Sequence, residues 1–322
     1  MTARLLTPKD TYTFDYPQAK KYADAQLGVF WTADEINVDK DIQDLRVNMT
    51  PAERHGVITT LKLFTIYELI VGNEYWLGRV KTTFPRPDIE LMATTFGFVE
   101  LGIHAPFYNK LNEAMLLNTD EFYSSYVEDE TLKSRIDFVN ESADDDDILY
   151  SLGVFSMLEG AVLYSSFAFL KHFQSQGKNK LMNVCRGINF SVRDENLHAE
   201  AGAWLYRTLR DEMGISAGER SALETKIVEA AHHVYEHESR IIEMIFDKGE
   251  IDGIRADDLR TFVKSRIDLC LNNLGIDGIF NVGDNPIAEW FYKNINNLQF
   301  GDFFTGTGSE YNRNWDEGGF NW

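Results

Sequence analysis

Six side chains in this sequence are spaced to grip metal ions. Glu68 lies in the apolar stripe Leu61, Phe64, Val71 and Tyr75, whose steps of three and four put all five residues on one helix face. Glu159 lies likewise among Phe155, Val162 and Phe167. An ionised carboxylate is not buried without a partner or a cation. Two further helices carry a Glu with a nearby His. Glu100 is followed by His104, with Phe96 and Tyr108 continuing that side, and Glu195 is followed by His198 on a face shared with Ile188, Ser191 and Gly202. Residues three or four apart on a helix can hold one ion together. A lone Glu, a Glu–His pair, a lone Glu and a second pair, on four helices, match the ligand set of dimetal carboxylate bundles. Carboxylates and imidazoles in this ratio suit iron or manganese.

Spacing alone is a weak signal. Glu229-Ala230-Ala231-His232 also reads Glu-x-x-His, but its helix is crowded with Glu224, Lys226, Glu236, His237 and Glu238 and reads as a solvated face. The acid run Asp144–Asp147 reads as the N-terminus of a helix, where the dipole favours negative charge. It lacks the Gly and spaced ligands of a calcium loop.

The elements that must position these groups are helical. Thr50-Pro51 followed by Glu53 predicts a helix start, running to about Lys81. Phe84-Pro85-Arg86-Pro87 breaks the chain, and a second helix is expected over Asp88–Leu117. Shorter helices are expected from Asp120 and over Asp129–Ser142, then long ones over Ile148–Gln174, Lys178–Met213, Ala217–Lys248 and Ala256–Leu274. Strand and hairpin signals are nearly absent, and no repeat of fixed period is visible. The expected fold is all-α: a ferritin-like four-helix bundle with additional helices, one domain over residues 1–300, and a C-terminal tail over 301–322 rich in Gly, Asn and aromatics.

Composition narrows the function classes. The 322 residues are 44% hydrophobic, enough for a sizeable core. A net charge of −20 argues against direct nucleic-acid binding, which needs clustered Lys and Arg. Two distant cysteines, Cys185 and Cys270, make neither a disulfide framework nor a thiolate cluster. The N-terminus shows no apolar leader, and the apolar run Val154–Leu170 is interrupted by Ser, Glu and Gly. It reads as buried core rather than a membrane span. A cytoplasmic protein without membrane contact is expected. No Gly-rich phosphate loop follows a strand, so no nucleotide site is expected on this chain.

Phe30-Trp31, Leu61-Lys62, Glu100…His104…Tyr108, Leu158-Glu159-Gly160 and Arg193-Asp194-Glu195-Asn196-Leu197-His198 together resemble the small subunit of class I ribonucleotide reductase, over roughly residues 25 to 275. The resemblance implies that Glu68, Glu100, His104, Glu159, Glu195 and His198 hold two metal ions per chain, iron first, with dimanganese or mixed manganese–iron as alternatives. It implies that Tyr108 stores a tyrosyl radical, and that Trp31, Asp194 and His104 carry an electron between the metal site and the surface. Asp194 also suits a partner that orients a ligating imidazole. By the same resemblance Tyr311 is the last tyrosine before a large catalytic subunit, and the final residues through Phe320 and Trp322 dock there. A homodimer is implied as well. Two departures bear on the site. The family most often has Asp where Glu68 stands, and it usually has Glu-x-x-His where Glu100 and His104 are separated by three residues. Either a π-bulge absorbs the extra residue, or one of the two side chains points away.

The expected function is therefore a ribonucleoside-diphosphate reductase small subunit, passing its radical to a large subunit that reduces ribonucleotides to deoxyribonucleotides. A ferritin-like dimetal oxidase or a metal-storage protein would use similar ligands. Neither needs a tail tyrosine.

Overall fold

The computed structural model describes residues 3–296, with side chains to residue 292. Among them the long elements are all helices, and the one bridge, Ile251 with Ile254, is isolated. Helix α1, Pro17–Gly28, opens on a proline, whose missing N–H costs nothing in a first turn. Helix α2, Pro51–Ile70, begins with the cap that its sequence predicts. Glu53 N donates to Thr50 Oγ1 at 3.2 Å, and Thr50 N donates to the Glu53 carboxylate at 2.8 Å. The rod continues through a π segment, Val71–Val80, and a last turn, Lys81–Thr83.

The second rod is α3, Pro87–Val99, then a π segment, Glu100–His104, then α4, Ala105–Met115. Its widened turn has a local cause. Pro106 offers no N–H to the carbonyl four residues back, and its ring would strike that carbonyl in a regular α-helix. Ala105 N instead reaches Glu100 O, five residues back.

Helices α5, Asp120–Glu128, and α6, Glu130–Asp144, are capped by Thr119 and Asp129. Helix α7, Ile148–Ala161, is capped by Asp147, which accepts from Leu149 N and Tyr150 N. The acid run thus marks a helix start, although Asp144 closes α6. Then come α8, Tyr164–Lys171, α9, Met182–Met213, α10, Ala217–Ile245, α11, Ala256–Leu274, and α12, Pro286–Asn296.

The expected helix bounds need two corrections. Ile148–Gln174 is not one helix: it breaks at Val162–Leu163, with Leu163 at φ 70°. A left-handed leucine is unfavourable, and the break is held from outside. Glu238 of α10 accepts from Leu163 N at 3.4 Å, from Ser165 N at 3.3 Å and from Ser165 Oγ at 2.5 Å. It also pairs with Arg135 of α6 at 2.8 Å. Glu238 is therefore buried, not part of a solvated face, whereas Glu229 and His232 of the same helix are exposed. The second correction is the start of α9 at Met182 rather than Lys178, after Leu181 at φ 56°.

The two rods, α7 and α9 surround the centre of the bundle, with α7 packed along α9 and α11 closing behind α7. Gly160 permits that closure, since a Cβ there would run into Cys270 Sγ of α11. The apolar window within Ile148–Gln174 has a mean hydropathy of 1.4 and is long enough to cross a membrane, but all of it is buried inside the protein.

Candidate metal centre

One face of each bundle helix delivers an acid to a common point. Glu68 comes from α2, Glu100 and His104 from the π segment of the second rod, Glu159 from α7, and Glu195 and His198 from α9. All six are buried, at 0 to 4% exposure. They form two overlapping groups, Glu68–Glu100–His104–Glu195 and Glu100–Glu159–Glu195–His198, with one ligand atom per residue and all such atoms in a group within 4.8 Å of one another. Glu100 and Glu195 belong to both, as bridging carboxylates would. The π turn keeps Glu100 and His104 together despite their spacing: His104 Nδ1 lies 2.9 Å from Glu100 Oε2, 3.3 Å from Glu195 Oε1 and 3.6 Å from Glu68 Oε2.

The contacts suit a cation better than a hydrogen-bond network. His198 Nδ1 and Glu100 Oε1 are 2.6 Å apart, yet neither atom has a partner of hydrogen-bonding geometry. Glu68 Oε1 and Glu159 Oε2 are likewise buried without a partner. Orphaned buried acceptors are costly, and acceptors aimed at one another imply a positive centre between them. Four carboxylates match the charge of two divalent ions.

Among these side chains alone the electrostatics are strained. Burial and the adjacent Glu100 push Glu68 well above the usual carboxyl range, and burial with Glu195 and Glu100 does the same to Glu159. Burial, Glu100 and Glu68 push Glu195 up to about 8. Burial would raise Glu100 too, but the two imidazoles override it and hold Glu100 well below that range. His104 is raised well above an ordinary histidine despite its burial, by Glu100, Asp194 and Glu195.

The outer faces of both imidazoles are anchored. His104 Nε2 lies 3.2 Å from Asp194 Oδ2, which also accepts from Trp31 Nε1 at 2.7 Å. Burial would raise Asp194, but Arg193, His104 and Trp31 hold it below the usual range. Trp31 is 1% exposed and packs on Phe107 and Phe190. His198 Nε2 lies 3.2 Å from Gln26 Oε1, a contact from α1 that spacing does not reveal. Tyr108 is fully buried, its ring 6.5 Å from that of His104 and 4.5 Å from that of Phe64. Its hydroxyl has no partner of hydrogen-bonding geometry among the described residues, and burial with Glu68 pushes its ionisation well above the tyrosine range. Tyr311, Phe320 and Trp322 lie outside the described residues.

The bundle is shared with solved proteins. It matches the dimanganese(II)-NrdF of Streptococcus sanguinis at TM-score 0.76, with 21% identity, over 88% of this chain and 98% of that one. It matches the ribonucleotide reductase R2 subunit from Clostridium botulinum at 0.77, with 20% identity, over 87% and 89%. By sequence the chain is 25% identical to the ribonucleoside-diphosphate reductase small chain of Schizosaccharomyces pombe, over 88% of this chain and 69% of that protein. The family model for the ribonucleotide reductase small chain matches residues 9–286, and this chain belongs to that family.

Proposed function

We propose that this chain is the radical-bearing small subunit of a class I ribonucleotide reductase. The observation that carries the reading is the hydrogen-bonded line Trp31–Asp194–His104, which joins a fully buried ligand set to a tryptophan outside it. A self-contained oxidase or a storage protein has no use for such a line.

Glu68, Glu100, His104, Glu159, Glu195 and His198 would hold two metal ions, iron or the manganese alternatives. When bound, the pair supplies a one-electron oxidant after reaction with an oxygen species. The remaining work belongs to the protein. Burial and Glu68 disfavour ionisation of Tyr108, so its hydroxyl stays protonated until the tyrosine is oxidised. Phe64 and Phe107 pack on its ring and exclude water, which would quench it. Asp194, anionic beside Arg193, holds the His104 ring by Nε2 and leaves Nδ1 to face the carboxylates. The same carboxylate keeps the Trp31 N–H engaged, so an electron leaving Trp31 can be matched by a proton shift to Asp194.

The reduction itself belongs to a large subunit, reached through the tail, with Tyr311 at the junction and Phe320 and Trp322 as anchors. The described residues form one helical unit, and the docking role is assigned to residues 301–322. A homodimer fits the large apolar side chains left exposed on the two rods, Leu69 at 44% and Phe98 at 51%. Tyr108→Phe tests the reading. It removes only a hydroxyl from a ring packed on Phe64 and Phe107, so fold and metal content should be retained, while the tyrosyl electron paramagnetic resonance signal and most ribonucleotide reduction with a large subunit should be lost. Wild-type turnover in that variant would overturn the assignment of Tyr108.

A further inference from the structure

The two halves of the ligand set are not equivalent, and the difference is a tryptophan. Trp76 Nε1 donates to Glu159 Oε1 at 2.6 Å, with Trp76 at 0% and Glu159 at 2% exposure. Trp76 stands in the π segment Val71–Val80. Its ring is fixed by edge contacts to Phe96 at 4.9 Å, Tyr75 at 4.8 Å and His198 at 5.9 Å. A buried indole has one polar atom, a donor, and needs an acceptor. Glu159 Oε1 is the acceptor this indole has. The indole occupies one of the two lone pairs of Oε1 and fixes the carboxylate's orientation, which leaves Oε2 as the oxygen with both lone pairs free. Glu159 Oε2 has no hydrogen-bond partner. Glu68, the other lone acid, faces no indole among the described residues; the donor nearest it is the His104 ring. Glu68 Oε1 is without a hydrogen-bond partner, and Oε2 lies 3.6 Å from His104 Nδ1.

We propose that Trp76 is a positioning residue that fixes the Glu159 carboxylate and presents Oε2 first, so that the cation position beside His198 is pre-organised while the one between Glu68 and His104 is adaptable. This deepens the dimetal reading above and rests on it. Two consequences follow from a fixed ligand beside a loose one. The two ions bind in distinguishable steps, and the indole N–H affects one step and not the other. Removing an outer partner of a metal ligand typically weakens binding about 10- to 100-fold.

The test is a titration of chelator-treated, full-length protein with Mn(II), reading free Mn(II) by electron paramagnetic resonance. Wild type is compared with Trp76→Phe and with β-(3-benzothienyl)alanine at position 76, which keeps the bicyclic shape and puts sulfur where the N–H was. The expected result is one step weakened about 10- to 100-fold and the other within about twofold of wild type. Glu159→Gln should weaken the same step, and combining it with the sulfur analogue should add little. The sulfur analogue should keep the wild-type melting temperature, so that a packing defect is separated from the lost donor. Unchanged binding of both ions in the analogue overturns the proposal, as does equal weakening of both, or weakening of the step that Glu159→Gln spares. Failure of the wild type to bind two Mn(II) would instead remove the dimetal reading and this inference with it.

Discussion

Glu195→Gln should stabilise the metal-free protein at alkaline pH, although it removes a member of the proposed ligand set. Glu195 is 4% exposed, and its carboxyl is pushed up to about 8 by burial and by Glu100 and Glu68. In the unfolded chain a glutamate ionises near about 4.3. Between those two values the folded state holds a proton that the unfolded state has released, so stability falls as pH rises. At about 1.4 kcal/mol per pH unit, the penalty reaches about 5 kcal/mol by pH 8. A glutamine mimics the neutral carboxyl and carries no such penalty. The variant should therefore match wild type near pH 4 to 5 and exceed it by about 5 kcal/mol at pH 8 and above. With an unfolding entropy of about 2.1 cal/mol/K per residue, that is about 7 °C in Tm for a chain of 322 residues. Glu68, Glu159 and His104 are raised too and lower wild-type stability in the same direction as pH rises. Burial works oppositely at His172, lowered to about 3, His237, lowered to about 4, and Lys171, lowered to about 7. Comparing variant with wild type at each pH cancels His172, His237 and Lys171, on which Glu195 does not act, whereas relief of Glu159 adds to the expected difference. The assay is urea unfolding of chelator-treated protein at pH 5, 6.5 and 8, followed by circular dichroism. A difference that stays flat or shrinks toward pH 8 would refute the reasoning. With metal bound the sign should invert, because the ion then rewards the carboxylate.

Three further outcomes are expected. Arg135→Met should cost about 3–5 kcal/mol in the same unfolding assay, because it strands the buried Glu238 carboxylate, and adding Glu238→Gln should recover part of the loss; a cost under about 1 kcal/mol would mean that the helix N-terminus alone satisfies Glu238. Asp194→Asn should still form the Tyr108 radical but slow reduction with a large subunit by about 100-fold or more, as loss of a group acting in proton transfer does. Unchanged turnover would take Asp194 out of the route. Tyr311→Phe should bind the large subunit normally by surface plasmon resonance yet fail to turn over, whereas deleting Phe320–Trp322 should weaken binding and leave the radical signal intact.

The clustering of these six side chains was legible because a carboxylate in an apolar stripe violates the pattern around it. Glu68 and Glu159 stand out for that reason, and the Glu–His pairs follow by spacing. The π turn at Glu100–His104 was foreshadowed by a one-residue excess in that spacing. Trp76 and Gln26 were hidden, because a tryptophan in an apolar helix looks like core and a glutamine looks like surface; their roles depend on which helix lies opposite. Glu238 was misread for a related reason. Its neighbours Glu236 and Arg240 are exposed, and only the approach of α6 and the broken α7–α8 corner bury it. That corner carries neither Gly nor Pro, so nothing local announces it. Helix α12 was missed because Gly and Asn flank it, although Pro286 at its first position is a helix-start signal.

The widened turn between Glu100 and His104 has an evolutionary side. A π turn holds one residue more than the α turn it replaces, so it acts as a removable slot inside an otherwise rigid rod. Shortening the slot to an ordinary turn would take the loss of one residue from Leu101–Ile103 together with the replacement of Pro106, whose ring an α turn does not admit. Phe96 and Glu100 would keep their mutual register on one side, and so would His104, Phe107 and Tyr108 on the other. Length variation, normally confined to loops, is thereby admitted at the centre of a buried helix. A residue lost there, with the matching change at Pro106, would leave the acid, the imidazole and the tyrosine facing the same point.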